Sequence, residues 1–151
     1  MAVLVIAELA PSELDLVDRH LPLNRLDQRG DEGTYLIAWE DGRPLGHARI
    51  AWTGTHLGLP EIQDVYVLPE KRRQGIATAL ARAAEEEASK RGWSSISLSV
   101  SQDGNPAARL LYTGLGYVAS DTPPVRVFGV ITLRGQPLEV DDTLVYLSKI
   151  I

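Results

Sequence analysis

The sequence contains no cysteine. That excludes disulfide staples, a thiol nucleophile and cysteine-based zinc sites. It has no apolar run approaching 18 residues, so it offers no candidate transmembrane helix. The opening Met1-Ala-Val-Leu-Val-Ile is too short for a signal peptide and lacks a basic segment before it. A cytoplasmic protein that does not enter a membrane is the resulting expectation. Surplus positive charge is also missing: the net charge is −5 and the isoelectric point about 5.2. A general nucleic-acid binder needs a basic surface, so no nucleic-acid partner is expected. An acidic chain suits a cationic acceptor such as an amine. The three histidines, His20, His47 and His56, fall at no metal-ligand spacing, and no metal site is expected. Repeats, low-complexity tracts and linkers are absent. With 151 residues, 44% of them hydrophobic, the chain fits one domain, 1–151, with a full core.

The chain is organised around residues 61–80. Ile62, Val65, Tyr66 and Val67 supply the β-branched and aromatic residues of a strand, and Pro69 stops it near Leu68. Lys71, Arg72, Arg73 and Gln74 make a basic turn before Gly75. A helix then runs to about Arg91, with Ile76, Leu80, Ala84 and Ala88 on one face. The first turn of a helix has N–H groups without partners and partial positive charge. Gly75 lets an anion approach the backbone, and the arginines add fork-shaped donors. A phosphorylated ligand and an ordinary strand-to-helix turn with solvated arginines both fit this stretch alone.

Read in order, Val3–Glu8 is a first strand and Pro11-Ser12-Glu13 opens a helix that Pro22 ends. Leu23–Gln28 reads as a second short helix, and residues 29–33 as a loop. Thr34–Glu40 and Pro44–Trp52 are strands joined at Asp41-Gly42. Residues 53–60 form a loop holding His56. Gly92 closes the long helix. Ile96, Leu98 and Val100 alternate with serines in a half-buried strand, 95–101. Asn105 is placed to cap a helix with Pro106 at its first position. Tyr117–Ser120 begins the last β region, and Val125–Leu133 and Leu138–Leu147 form a hairpin. Glu85-Glu86-Glu87 reads as a solvated helix face, and Asp141-Asp142 as a strand-edge or bulge feature. The order β, α, α, β, β, β, α, β, α, β, β describes a mixed α/β domain.

Two motifs in this order resemble the GNAT superfamily of N-acetyltransferases. Arg72-x-x-Gly75-x-Ala77 resembles its R/Q-x-x-G-x-G/A motif, approached by Val65-Tyr66-Val67-Leu68-Pro69-Glu70. Asn105, Tyr112, Gly116 and Tyr117 resemble its N-x(6)-Y-x(3)-G-[FY] segment. The resemblance spans residues 34–118. It implies an α/β (α+β) fold: a mixed, mainly antiparallel sheet of about seven strands, splayed between strands 4 and 5 and flanked by about four helices. It also implies acetyl-CoA as cosubstrate, seated in the splay, and acetyl transfer to a primary amine of a small molecule or peptide. By the same resemblance Arg72, Arg73, Gln74, Gly75, Ile76, Ala77 and Thr78 cradle the pyrophosphate. Val65 and Val67 offer backbone groups to the pantetheine arm and, near Val67, the thioester oxygen. Asn105 contacts the pantetheine side, and Tyr112 gives a proton to the departing thiolate. Ala77 stands where a second glycine is commoner. Paired C-terminal strands, as in many relatives, fit a homodimer as well as a monomer.

The reaction needs a base, because a free aliphatic amine has a pKa near ~10 and must be neutral to attack. Glu61 or Asp64, acting through water, is the expected base. Their odd spacing along a strand sends them to opposite faces unless a bulge intervenes. Some family members carry a carboxylate in the fifth strand where this chain has Ser97 and Ser99, and His56 is an alternative. Asn105 as a plain cap and Tyr112 as a core aromatic are the competing readings of those residues. Trp39, Trp52, Tyr35 and the loops 22–33 and 53–60 are candidate walls for the acceptor. Gly114-x-Gly116-x-x-Ala119 follows a helix and opens none, so it is not a dinucleotide fingerprint. No lysine follows Gly75 as in a Walker loop, and there is no G-x-S-x-G elbow. A non-catalytic acyl-CoA-binding or regulatory module is the alternative function.

Overall fold

The computed structural model describes residues 3–26 and 32–151. Eight strands form one sheet: β1 (Leu4–Glu8), β2 (Gly33–Glu40), β3 (Arg43–Ala51), β4 (Glu61–Val67), β5 (Ser95–Ser101), β6 (Val118–Ala119), β7 (Val125–Leu133) and β8 (Gln136–Ile150). The helices are α1 (Leu14–His20), α2 (Ile76–Lys90) and α3 (Pro106–Gly114). The sheet order is β1-β2-β3-β4-β5-β8-β6, with β7 paired to β8. Every pairing is antiparallel except β4–β5. This is the mixed, mainly antiparallel sheet that the resemblance implies, with a short eighth strand added. Three α-helices stand among the described residues rather than about four. The expected second helix, Leu23–Gln28, is a turn over residues 24–26, and residues 27–31 lie outside the described ones.

Local chemistry explains the element ends. Asp41 and Gly42 both take positive φ, at 51° and 75°, as do Arg134 and Gly135, at 51° and 76°. Two residues of that conformation close a hairpin with the twist of its strands. Gly92, with φ 88°, follows the C-terminus of α2 as expected.

Two apolar layers sandwich the sheet. On one face α2 presents Ile76, Leu80, Ala81, Ala84 and Ala88 to Leu36, Ala38, Ile50 and Ile62. The small alanines let this helix lie close to the strands. On the other face α1 and the segment after it set Val17, Leu21 and Leu23 against Tyr35 and Ile37. β2 is therefore buried on both sides, which explains its unbroken apolar run.

β8 has three partners along its 15 residues. Its first part pairs with β7, its later part with β5 and β6, and Leu144 faces both Val125 and Ser101. The β7–β8 hairpin turn reaches α1, where Arg134 pairs with Asp18.

Glu85 departs from the solvated face expected for Glu85-Glu86-Glu87. It is buried, and it accepts hydrogen bonds from the Tyr117 hydroxyl at 2.9 Å and Lys149 Nζ at 2.8 Å. Burial and this carboxylate push the Tyr117 hydroxyl well above its ordinary range. One carboxylate thus ties α2 to the end of α3 and to β8. Replacing it strands a phenol and an ammonium group. Glu85→Ala is expected to lower unfolding stability by roughly 2–3 kcal/mol, the scale of hydrogen bonds to a charged group. Urea unfolding measures it, and an unchanged midpoint would contradict this role.

Candidate active site

The parallel pairing of β4 and β5 ends almost as soon as it begins. Only Glu61 with Ser97 and Ile62 with Leu98 are in register. Ser97 reinforces the junction, since its N–H and its hydroxyl both donate to the Pro60 carbonyl, at 2.8 and 3.0 Å. Beyond Ile62 the strands part, and a cleft of about 1470 Å³ opens between them. The splay expected between the fourth and fifth strands is here.

A bulge shapes the β4 wall. Arg49 pairs with Gln63, but His47, two residues earlier on β3, pairs with Tyr66. β4 thus spends one extra residue, and Asp64 takes φ 49°. The extra residue reverses the alternation of side chains. Asp64 reaches Tyr35, which shares a face with Arg49 and Gln63 and hence with Glu61. The odd spacing of Glu61 and Asp64 therefore does not send them to opposite faces.

The two carboxylates have different surroundings. Asp64 accepts from the Tyr35 hydroxyl at 2.6 Å, the Asn24 N–H at 2.9 Å and Asn24 Nδ2 at 3.2 Å. Both its oxygens are engaged, and they pin the segment after α1 to the bulge. Burial, then Asp64, pushes the Tyr35 hydroxyl far above its ordinary value. His47 lies beneath, fully buried, with neither ring nitrogen hydrogen-bonded among the described residues. Burial holds it below its ordinary value and therefore neutral, against the opposing pull of Asp64. Glu61 is 7% exposed; its Oε2 accepts from Gln63 Nε2 at 2.6 Å, and its Oε1 has no partner among the described residues.

Tyr146 on β8 lines the same cleft, its hydroxyl raised by burial and then by the Glu61 charge. His56 stacks on it, with ring centroids 4.3 Å apart. Tyr146 escaped the sequence reading because nothing local links it to Glu61. Gln63 left a usable signal: two residues from Glu61 on a strand, it had to share its face.

At the other end of the cleft, Gly75 precedes α2 in the left-handed conformation, with φ 83°. No acidic residue stands in the first turn of α2. Arg72, Arg73, Gly75, Ile76, Ala77 and Thr78 all line the cleft, whereas Gln74 does not; its Nε2 donates to the Glu70 carbonyl. Arg72 Nε donates to the Val67 carbonyl at 2.9 Å and lies against the Tyr66 ring, so it also braces the end of β4. Val65 and Val67 both line the cleft.

α3 contributes Asn105 and Tyr112 to this cleft. The Asn105 side chain caps α3, accepting from the Ala108 N–H at 3.1 Å. Tyr112 is buried, edge-on to Tyr117 at 5.9 Å, and burial pushes its hydroxyl up to about 12. Of the fifth-strand serines, Ser99 lines the cleft and Ser97 does not. Tyr35, Trp39 and Trp52 are absent from its walls. Trp52 is a core residue that donates to Thr34 and lies under Arg91.

The arrangement combines anion donors at one end, a buried carboxylate with one oxygen unpaired among the described residues at the other, and a protonated phenol in the same space. Solved structures share this fold across nearly the whole chain. Ribosomal-protein-S18-alanine N-acetyltransferase from Escherichia coli is 20% identical, covers 99% of this chain and 94% of its own, and has a TM-score of 0.73. PaiA N-acetyltransferase from Thermoplasma acidophilum, in complex with coenzyme A, is 15% identical over 99% of each chain, with a TM-score of 0.68. A Bacillus anthracis protein in complex with acetyl coenzyme A is 18% identical over 99% of this chain and 100% of its own, with a TM-score of 0.69. No curated protein matches the sequence. The model of the acetyltransferase (GNAT) family matches residues 5–117, three quarters of the sequence, and the chain belongs to that family.

Proposed function

We propose that this protein transfers acetyl from acetyl-CoA to a primary amine of a small molecule or peptide by direct attack. The observation that carries this reading is the buried Glu61, with one carboxylate oxygen unpaired among the described residues, in the same cleft as the buried Tyr112 phenol. The first turn of α2 with Arg72 and Arg73 suits the pyrophosphate: free backbone donors, the helix dipole and guanidinium forks converge there. Gly75 has nothing within 4 Å of where a Cβ would stand, so the approach is open.

In the proposed step Glu61 takes a proton, through water, from the acceptor ammonium. The neutral nitrogen attacks the acetyl carbonyl carbon. The C–N bond forms, the C–S bond breaks, and the sulfur leaves as thiolate with the electron pair. Tyr112 supplies the proton that makes it a thiol, and the proton left on nitrogen departs to solvent. Because its carboxylate is already saturated, Asp64 acts in this scheme as an anchor for the acceptor-side wall. The alternative of a non-catalytic acyl-CoA-binding module gives no account of a buried carboxylate with an unpaired oxygen among the residues of the cleft.

Isothermal titration with acetyl-CoA, against ATP and NAD, tests the cradle: selective binding is expected, and Gly75→Glu or Arg72→Ala weakens it at least tenfold. Equal affinity in both variants would remove the assignment. Thiol release across a panel of primary amines then gives the acceptor. With it, Glu61→Gln is expected to lower kcat/KM by about 10²-fold, the usual range for a general base. Tyr112→Phe lowers kcat while acetyl-CoA affinity holds. Because burial raises the Tyr112 hydroxyl to about 12, its acid form persists through pH 10. The kcat profile should therefore show no alkaline fall centred near 10, and a fall there that disappears in Tyr112→Phe would contradict the raised hydroxyl.

A further inference from the structure

The setting of the Glu61 carboxylate, with one oxygen bonded and the other unpaired among the described residues, follows from a chain of hydrogen bonds that begins on the neighbouring strand. Arg49 on β3 is 4% exposed and stands in register with Gln63 on β4. Its guanidinium fills the space above Gly33 of β2, where an added Cβ would overlap it. A guanidinium stays protonated and only donates. Arg49 Nη1 donates to Gln63 Oε1 at 3.2 Å, which decides the orientation of the Gln63 amide. The oxygen of that amide must face the cation, so its NH₂ faces the other way. There it donates to Glu61 Oε2 at 2.6 Å.

We propose that Gln63 is a positioning residue for the base: an Arg49–Gln63–Glu61 relay engages one carboxylate oxygen and so fixes the orientation of the carboxylate that takes the acceptor's proton. This rests on the reading of Glu61 as base. The amide carries the polarising effect of a buried cation to the carboxylate without bringing the cation to it. A direct Arg–carboxylate pair would engage both oxygens of Glu61, whereas the interposed amide engages one. The other groups around Glu61 do not substitute for it. Asp64 is committed to Tyr35 and Asn24, Ser97 on β5 gives its hydroxyl to Pro60, and Tyr146 on β8 is stacked with the exposed His56.

The relay is read without any acceptor, by ¹³C NMR of protein labelled at glutamate carboxyls, the Glu61 resonance being identified by its loss in Glu61→Gln. At one fixed pH the Glu61 resonance is expected to shift in Gln63→Leu, as the carboxylate loses a hydrogen-bond donor. In Gly33→Ala, which displaces the Arg49 guanidinium and touches nothing in the cleft, it moves in the same direction by less. Should Gln63→Leu fail to fold, Gly33→Ala carries the test. A Glu61 resonance that stays in place in every variant that folds would overturn the relay. Full acetyl transfer by Glu61→Gln is a separate outcome: it overturns the reading of Glu61 as base, whatever the resonances show.

Discussion

Two residue pairs join β4 to β5, and the site depends on their stopping there. The parting of these strands leaves backbone and side chains of both facing a space rather than each other. A parallel pair that continued would satisfy its ladder and fill the cleft. Pro60 and Ser97 fasten the closed end, while α2 and α3 enter the open end from opposite sides in sequence. The wedge has its carboxylate near the closed end and its anion donors at the wide one.

Bulges next to active sites re-aim side chains, and the one at Asp64 does so twice over. It places Asp64 where Tyr35 and Asn24 can hold it, which fastens the segment after α1 to the sheet. It also lets the chain beyond it continue as Val65, Tyr66 and Val67 along the cleft wall. Glu61 and Asp64 thus differ by environment: Asp64 has donors on both oxygens, whereas Glu61 has one oxygen unpaired among the described residues.

Much of this was legible in the sequence. The order of elements, the helix that starts after Gly75 and the cap at Asn105 follow from local rules that residues obey wherever they occur. The glycine motif and the Asn105–Tyr112 spacing marked two walls of one cleft, because both lie on helix starts whose geometry is local. What could not be read depends on register. The parity argument for Glu61 and Asp64 was sound for a regular strand, and one inserted residue reversed it. Glu85 sits among glutamates that look solvated, and only the folding of Tyr117 and Lys149 against it makes it a buried acceptor. Tyr146 belongs to the site through a strand pairing that no local pattern announces.

The late position of β8 in the chain has a consequence for how the protein becomes active. During synthesis β4, β5 and both cleft helices emerge before β8, so for that interval β5 is an open sheet edge. The side of the cleft that carries Tyr146 does not yet exist, and Lys149 has not reached Glu85. An exposed strand edge is a point of mispairing between nascent chains. The serines that alternate along β5 moderate that hazard by keeping half of its side chains polar until the final long strand closes the sheet.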